Sequence, residues 1–354
     1  MLQLLVKKIT YGILVLAGVV VIVFFIFQAF ADPARLIVGQ TGDKQTLDNI
    51  RKELYLDQPK WKQFVLYVND VSPVSIYKNE DISDKKLHGF FFGNNSKPEA
   101  WRVGIKIPYL RRSYQTKKDV IDVLLEALPG TLMLAFAAMI FATIAGIFLG
   151  VVAAVKHNTW LDTSSVFASV IGISAPSFFM AIVIGYVFGI VLHSFIGLPL
   201  TGSWFNIDET TGERYLTLQN LILPAITLGI RPLSIITQLT RSSMLDVLNQ
   251  DYIRTAYAKG LSQRQVIYRH ALRNALNPVV TAITGWFAEL LAGAFFVEYI
   301  FGWKGIGKVT VDALEKLDYP VVMGSVLFAA SIFVVVNILS DVLYGIIDPR
   351  VKLR

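Results

Sequence analysis

The sequence contains no cysteine, which excludes disulfides, thiolate metal sites and a cysteine nucleophile. Histidine is nearly as scarce: His88, His157, His193 and His270 are the whole supply, and none stands in an HExxH or paired-ligand spacing. No nucleophile–base set emerges either, so no catalytic residue, resident metal or bound cofactor is expected. Charge is thin, at 17% of the 354 residues, against roughly 25% in a soluble domain. What takes its place is apolar, 54% of the chain, gathered in long runs. The net charge of +7 would suit nucleic acid, but in so hydrophobic a chain it reflects basic residues held on the cytoplasmic side of a membrane. The fold class expected is an all-α polytopic membrane protein. Lipid, not nucleic acid, is its surrounding partner.

About six apolar segments fit spanning helices: 9–30, 128–155, 166–192, 218–239, 278–300 and 321–347. Ala29-Phe30-Ala31 mimics a signal-peptidase site, yet the run before it exceeds the ~7–15 residues of a signal core and approaches the ~20 of a span. A retained helix is expected. Residues 1–31 thus form the first helix, 32–119 a polar extracytoplasmic domain, and 120–354 a five-helix core with a long cytoplasmic loop at 242–277. In the polar domain, Thr46, Leu47, Ile50 and Leu54 suggest one amphipathic helix and Trp61, Phe64, Val65 and Val68 another. With the N-terminus inside, Lys7, Lys8, Lys156, Arg241, Arg254, Lys259, Arg264, Arg269, Arg273, Arg350, Lys352 and Arg354 fall on the inner side. The short outer loops hold only Arg214, Lys304, Lys308 and Lys316, so both termini are placed in the cytoplasm.

The stretch DYIRTAYAKGLSQRQVIYRHALRNALNP, 251–278, is too patterned for a mere connector. Tyr252, Ile253, Ala256 and Tyr257 recur at helical spacing, and Gly260 stops that helix. Ser262 with Gln265 makes a capping box for a second helix, whose Val266, Ile267, His270, Ala271 and Ala275 share a face. This stretch resembles the EAA loop of the membrane subunits of binding-protein-dependent ABC importers, in its peptide-importer form. Arg254, Thr255 and Ala256 occupy the places of the name-giving Glu-Ala-Ala, followed by Lys259, Gly260 and Ser262; the glutamate is missing. Asp32-Pro33-Ala34, Leu56 to Pro59 and Arg112-Ser113-Tyr114 also resemble the oligopeptide and dipeptide permeases. Residues 75–107 match nothing in that pattern and read as an insertion.

The resemblance implies a type I importer permease, multi-pass in a bacterial inner membrane. It also implies a paralogous permease subunit, two cytoplasmic ABC ATPase subunits carrying ATP and Mg, and an extracytoplasmic substrate-binding protein. The loop would couple this chain to one ATPase. The rivals, a stand-alone secondary transporter or channel and an intramembrane enzyme, would need an inverted repeat, several midplane charges or a catalytic set. No clear repeat or catalytic set is visible.

Four other features stand out. Gly302 to Lys308, GWKGIGK, has the glycine and lysine spacing of a phosphate loop, but Val309 replaces the Ser or Thr and no strand precedes it. It resembles instead the outer loop before the last helix of peptide permeases, with Phe301, Gly305, Gly307, Asp312, Ala313, Asp318, Tyr319 and Pro320. Pro176 should kink its helix. Asn337 and Asp341 make a polar face on the last helix, expected to hydrogen-bond between helices. Arg231 and Glu289 lie deep in their segments at depths a long side chain can bridge. They are expected either to form a buried ion pair on or beside the translocation path, or to be solvated separately in a central cavity, or to be set apart by a one-turn shift of one helix.

Overall fold

A computed structural model describes residues 2–29, 45, 48, 51–52, 55–94, 97–207 and 212–347. The helix expected around Thr46, Leu47, Ile50 and Leu54, and the closing Asp348-Pro349-Arg350, lie outside the described residues. The chain forms two compact units. One comprises Met1–Ile9, Ala127–Val311 and Ser331–Arg354, the other Thr10–Glu126 and Asp312–Ala330.

Among the described residues, four helices are long and apolar enough to cross a membrane: Leu5–Gln28, Val120–Val155, Gln219–Leu248 and Tyr319–Val342. Trp160–Ser174 and Ser177–Val191 together make a fifth if the pair is one span, but they are bent by 113°. By length and composition, the described residues thus supply four or five of the six spans expected. The segment at 278–300 is instead a helix over Leu272–Gly293 and a separate short one over Phe295–Ile300. The first of these carries Arg273, Asn274, Asn277 and Glu289, which dilute its hydropathy.

At Pro176 the structure shows a break, not a kink. Ala175, with ψ 128°, and Pro176, with ψ 139°, are both extended, because a residue before proline is pushed out of the helical region. One helix ends at Ser174 and the next starts at Ser177.

In the first unit the Gln219–Leu248 helix is the packing centre. It buries Leu223, Leu228, Ile236 and Met244. Thr227, Ser234 and Thr237 also turn inward and return their hydroxyls to the carbonyls four residues back, at 2.8 Å each. Two glycines of the Val120–Val155 helix let this centre approach. A Cβ on Gly146 would stand 3.0 Å from the Leu233 carbonyl oxygen, and one on Gly150 would stand 2.7 Å from that of Thr237. The pair is one turn apart, the small-xxx-small spacing by which membrane helices pack closely without a hydrophobic drive.

The second unit corrects the expectation of an all-α chain. It contains a three-stranded antiparallel sheet in the order β1-β3-β2, built from β1 (Val74–Lys78), β2 (Gly89–Phe92) and β3 (Trp101–Lys106). A two-stranded pairing of Phe205–Ile207 with Arg214–Leu216 occurs in the other unit. The sheet is inverted relative to ordinary patterning. Ser75, Tyr77 and Lys106 are buried, while Val74, Ile76, Phe90, Phe92, Trp101, Val103 and Ile105 are exposed. A reading that puts apolar residues inside does not find such strands.

The helix over Lys60–Val71 forms as expected, but its buried face is Gln63, Tyr67 and Asp70. Trp61, Val65 and Val68 of the expected stripe are exposed, and Phe64 packs edge-on against Phe24 of the first span at 5.1 Å. Asp70 explains the choice. Its carboxylate accepts from the Tyr77 hydroxyl at 2.7 Å and pairs with Lys85 at 3.0 Å and Arg111 at 3.7 Å. Lys106 donates to the Asp70 and Ser72 carbonyls, and burial pulls its ammonium down to about 8. Residues on the 75–107 segment thus tie it to the helix before it, and Val74 already pairs with Ile105.

Candidate functional site

The 251–278 stretch is an ordered elbow. The helix of Gln219–Leu248 runs further than its apolar part, so 242–248 is helix rather than loop. The helix Asp251–Ala258 follows, and Gly260 ends it at φ +78°. The Gly260 amide donates to the Tyr257 carbonyl at 2.9 Å and the Leu261 amide to that of Ala256 at 3.3 Å. Those two bonds are a Schellman cap, which needs the left-handed residue. Ser262 then closes the expected capping box with Gln265, and a helix runs from Gln263 through a π-helical stretch at Val266–Ala271 into Leu272–Gly293. Asn274 donates to the Tyr252 hydroxyl at 2.8 Å, tying the two arms together.

Burial sorts the elbow into an inner and an outer face. Ile253, Ala256, Val266, Ile267, Ala271 and Ala275 are buried in a cluster with Val151, Ala154 and Met244. Tyr252, Arg254, Thr255, Tyr257, Lys259, Gly260, Ser262, Arg264, Arg269 and Arg273 are exposed, and His270 is half-buried. Of the residues singled out in this loop, Ala256 therefore packs beneath while Arg254, Thr255 and Lys259 are exposed, Arg254 lying 3.7 Å from Asp251 and the Thr255 hydroxyl donating to the Asp251 carbonyl. Beside the elbow, Arg241 grips the buried Asp162 at 2.5 and 2.9 Å, fastening Trp160–Ser174 to the central helix. That pair went unnoticed in the sequence because 79 positions separate its members.

Arg231 and Glu289 do come together, at 3.9 Å between Nη1 and Oε1. They are not buried: their side chains are 55% and 54% exposed. The Arg231 guanidinium lies over the Trp286 ring at 5.5 Å. A cavity of about 70 Å³ adjoins them, lined also by Gly172, Ala175 and Ser177 at the break in the helix.

The polar face of the last helix divides. Asp341 reaches Lys8 at 2.6 Å, whereas the Asn337 amide donates to its own helix at Phe333 O, not across helices as expected.

Glu298 was missed altogether. It is fully buried, on the short helix Phe295–Ile300. Its carboxylate accepts from the Thr131 hydroxyl at 2.7 Å and from the Gly307 and Lys308 amides at 2.7 and 3.2 Å. The Ile306 amide donates to Thr131 Oγ1 at 2.9 Å. The helix Ile306–Glu315 therefore has its first amides satisfied by side chains from elsewhere. A helix N-terminus leaves its first amides in want of an acceptor, and here the acceptor is the chain's own carboxyl group. Two of the three glycines of GWKGIGK follow from this. A Cβ on Gly305 would meet Glu298 Oε2 at 2.4 Å, and one on Gly307 would meet Phe295 Cα at 2.4 Å. Trp303, also fully buried, donates from Nε1 to the Gly130 carbonyl at 2.8 Å. Among the described residues, no group of three or more His, Cys, Asp or Glu is placed to hold a metal ion.

Several helices apolar enough to cross a membrane, one pair of them broken, and an ordered polar elbow after the Gln219–Leu248 helix define a membrane-embedded protein. Comparison with known proteins gives its family. Residues 146–353 match the family described as binding-protein-dependent transport system inner membrane component, and residues 1–101 match the N-terminal family of the same membrane components. The dipeptide transport system permease protein of Alkalihalophilus pseudofirmus is 34% identical over 352 residues, 96% of each chain. That of Escherichia coli K12 is 35% identical over 373 aligned positions, 99% of each chain. The glutathione transport system permease protein of Escherichia coli K12 is 34% identical over the whole of both. A solved structure of the MetNI methionine ABC transporter shares the fold, with a TM-score of 0.50 at 16% identity, covering 64% of this chain and 97% of that one. The chain belongs to the family of inner-membrane components of binding-protein-dependent transport systems. Most of the segment read as an insertion, through residue 101, falls within the N-terminal match.

Proposed function

We propose that this chain is one of two membrane-spanning subunits of an ATP-driven importer of dipeptides or short oligopeptides. The observation that carries the substrate class is its end-to-end match to dipeptide and glutathione permeases. In this reading the exposed face of the elbow, with Arg254, Thr255 and Lys259, sits in a groove of a cytoplasmic ATPase subunit. ATP and Mg are held there and not on this chain. The buried face, Ile253 and Ala256 on Val151 and Met244, passes the movement of that subunit to the spanning helices. An extracytoplasmic binding protein delivers the peptide, a paralogous permease completes the path, and both termini face the cytoplasm of a bacterial cell. The glutamate of the EAA pattern is absent, so Arg254 is the charged contact available at that place.

Reconstitution tests this. The chain, its neighbouring permease, the ATPase subunits and the binding protein are placed in proteoliposomes with a labelled dipeptide. Uptake should require all components and ATP. Uptake by this chain alone, driven by an ion gradient, would refute the reading.

A further inference from the structure

We propose that Arg231 and Glu289, with Trp286 and the helix break at Ala175–Ser177, form a transit site for the charged ends of a peptide. Arg231 meets the carboxylate and Glu289 the ammonium. The inference rests on the peptide-importer reading and adds a substrate contact to it.

The pair does not behave as a structural ion pair. At 3.9 Å the contact is too long for a hydrogen bond, and neither side chain makes one elsewhere among the described residues. A guanidinium offers five N–H donors and a carboxylate about four acceptor positions, so both groups retain nearly their whole capacity. Both are about half exposed, yet Arg231 sits well inside a helix apolar enough to cross a membrane, and Glu289 meets it from one turn before the end of Leu272–Gly293. Arg231 is twelve positions beyond Gln219, about 18 Å along the axis. Ionisable groups at such depth are costly and mark substrate or ion pathways. Trp286 fixes the guanidinium from one side and leaves its edge available.

The neighbourhood adds matching chemistry. Pro176 has no N–H to give the Gly172 carbonyl, and the helix Ser177–Tyr186 opens beside the cavity. Discontinuous helices present such backbone groups to substrates in transporters. The cavity, at about 70 Å³, is far below the ~300–1,000 Å³ of a pocket that encloses a ligand. It suits brief contact with a terminus during passage and not a resting site. Two opposite charges side by side, each with open hydrogen-bonding capacity, complement a zwitterion whose own charges would otherwise cross low dielectric unpaired.

The absence of native cysteine makes the test direct. Ser177→Cys is introduced into the full complex, and its alkylation by a polar maleimide is read on this chain by mass spectrometry. With ATP, binding protein and the labelled dipeptide present, labelling should slow by about a quarter to a half relative to the same mixture without dipeptide, as a briefly occupied site requires. With Arg231→Gln or Glu289→Gln added, that protection should disappear while the complex still assembles and the liganded binding protein still stimulates ATP hydrolysis. Equal protection with and without the charges overturns the proposal. So does absence of protection in an otherwise unaltered Ser177→Cys complex that takes up the dipeptide. If Arg231→Gln fails to assemble, Glu289→Gln alone decides by the same criterion. Failure of the unaltered complex to take up any peptide would instead count against the importer reading itself.

Discussion

Gly260 stands at φ +78°, and a Cβ added there would meet nothing within 4 Å. The cost of replacing it is therefore one of backbone alone, about 1–2 kcal/mol for a β-branched residue. Gly260→Val should insert in the membrane normally but bring down less ATPase subunit with a tagged chain. Gly260→Asn, which tolerates the left-handed region, should lose less; equal recovery with both would detach the cap from coupling. Glu298 presents the opposite case, where contacts are everything. Glu298→Ala leaves the Gly307 and Lys308 amides without an acceptor, about 1–3 kcal/mol for a buried group so stranded. Its melting temperature in detergent should fall clearly below that of Glu298→Gln, which keeps one oxygen; identical melting would mean the amides find other partners. The elbow was legible in the sequence because a glycine stop and a Ser-x-x-Gln box are local signals. Glu298 was not, because Thr131, one of its partners, lies 167 positions away and the carboxylate itself hides in an apolar run.

Whole helices obey the same division between local and distant causes. The break at Pro176 is local and was half anticipated; its 113° depth depends on both Ala175 and Pro176 staying extended. The close approach through Gly146 and Gly150 has no local signature beyond spacing. Gly150→Val places a methine carbon 2.5 Å from Thr240 Cβ and 2.7 Å from a backbone oxygen, which a side-chain rotation cannot relieve. That variant should lose most of its monodisperse yield in detergent chromatography, whereas Gly18→Ala, with open space around it, should match the parent. The strands escaped notice because they expose what strands usually bury. Lys106, on β3, carries a pH signature of that inversion. Its folded value near 8 lies below the ordinary 10.5, so between those limits the unfolded chain holds the extra proton. This residue's share of stability should therefore rise as pH climbs from 8 to 10.5, and Lys106→Met should flatten the melting-temperature slope in that window.

For the molecule as a whole, the sequence reading found the family through the elbow and placed Arg231 beside Glu289 by counting helical rise, but set 75–107 apart too readily. Deleting those residues would take Tyr77 and Lys85 from the carboxylate of Asp70, which is 1% exposed, and Lys106 from its carbonyl, leaving Arg111 at 3.7 Å. Removing one partner of a buried charge costs about 3–5 kcal/mol, so the deletion should yield a chain that assembles poorly; normal assembly would show that Arg111 suffices. Family membership could be read from one loop because its glycine stop and capping box are local signals, whereas the inverted sheet depends on a carboxylate whose partners are scattered in the chain. The Glu298 cradle carries a last consequence, which belongs to host–guest chemistry. Truncating Glu298 to alanine leaves a carboxylate-sized vacancy ringed by the Thr131 hydroxyl and the amides of Gly307 and Lys308. A small guest such as formate or acetate should fill it, restoring thermal stability with the logarithm of its concentration once that exceeds the dissociation constant. Chemical rescue would then turn a glycine loop resembling a nucleotide site into a receptor for the simplest organic anions.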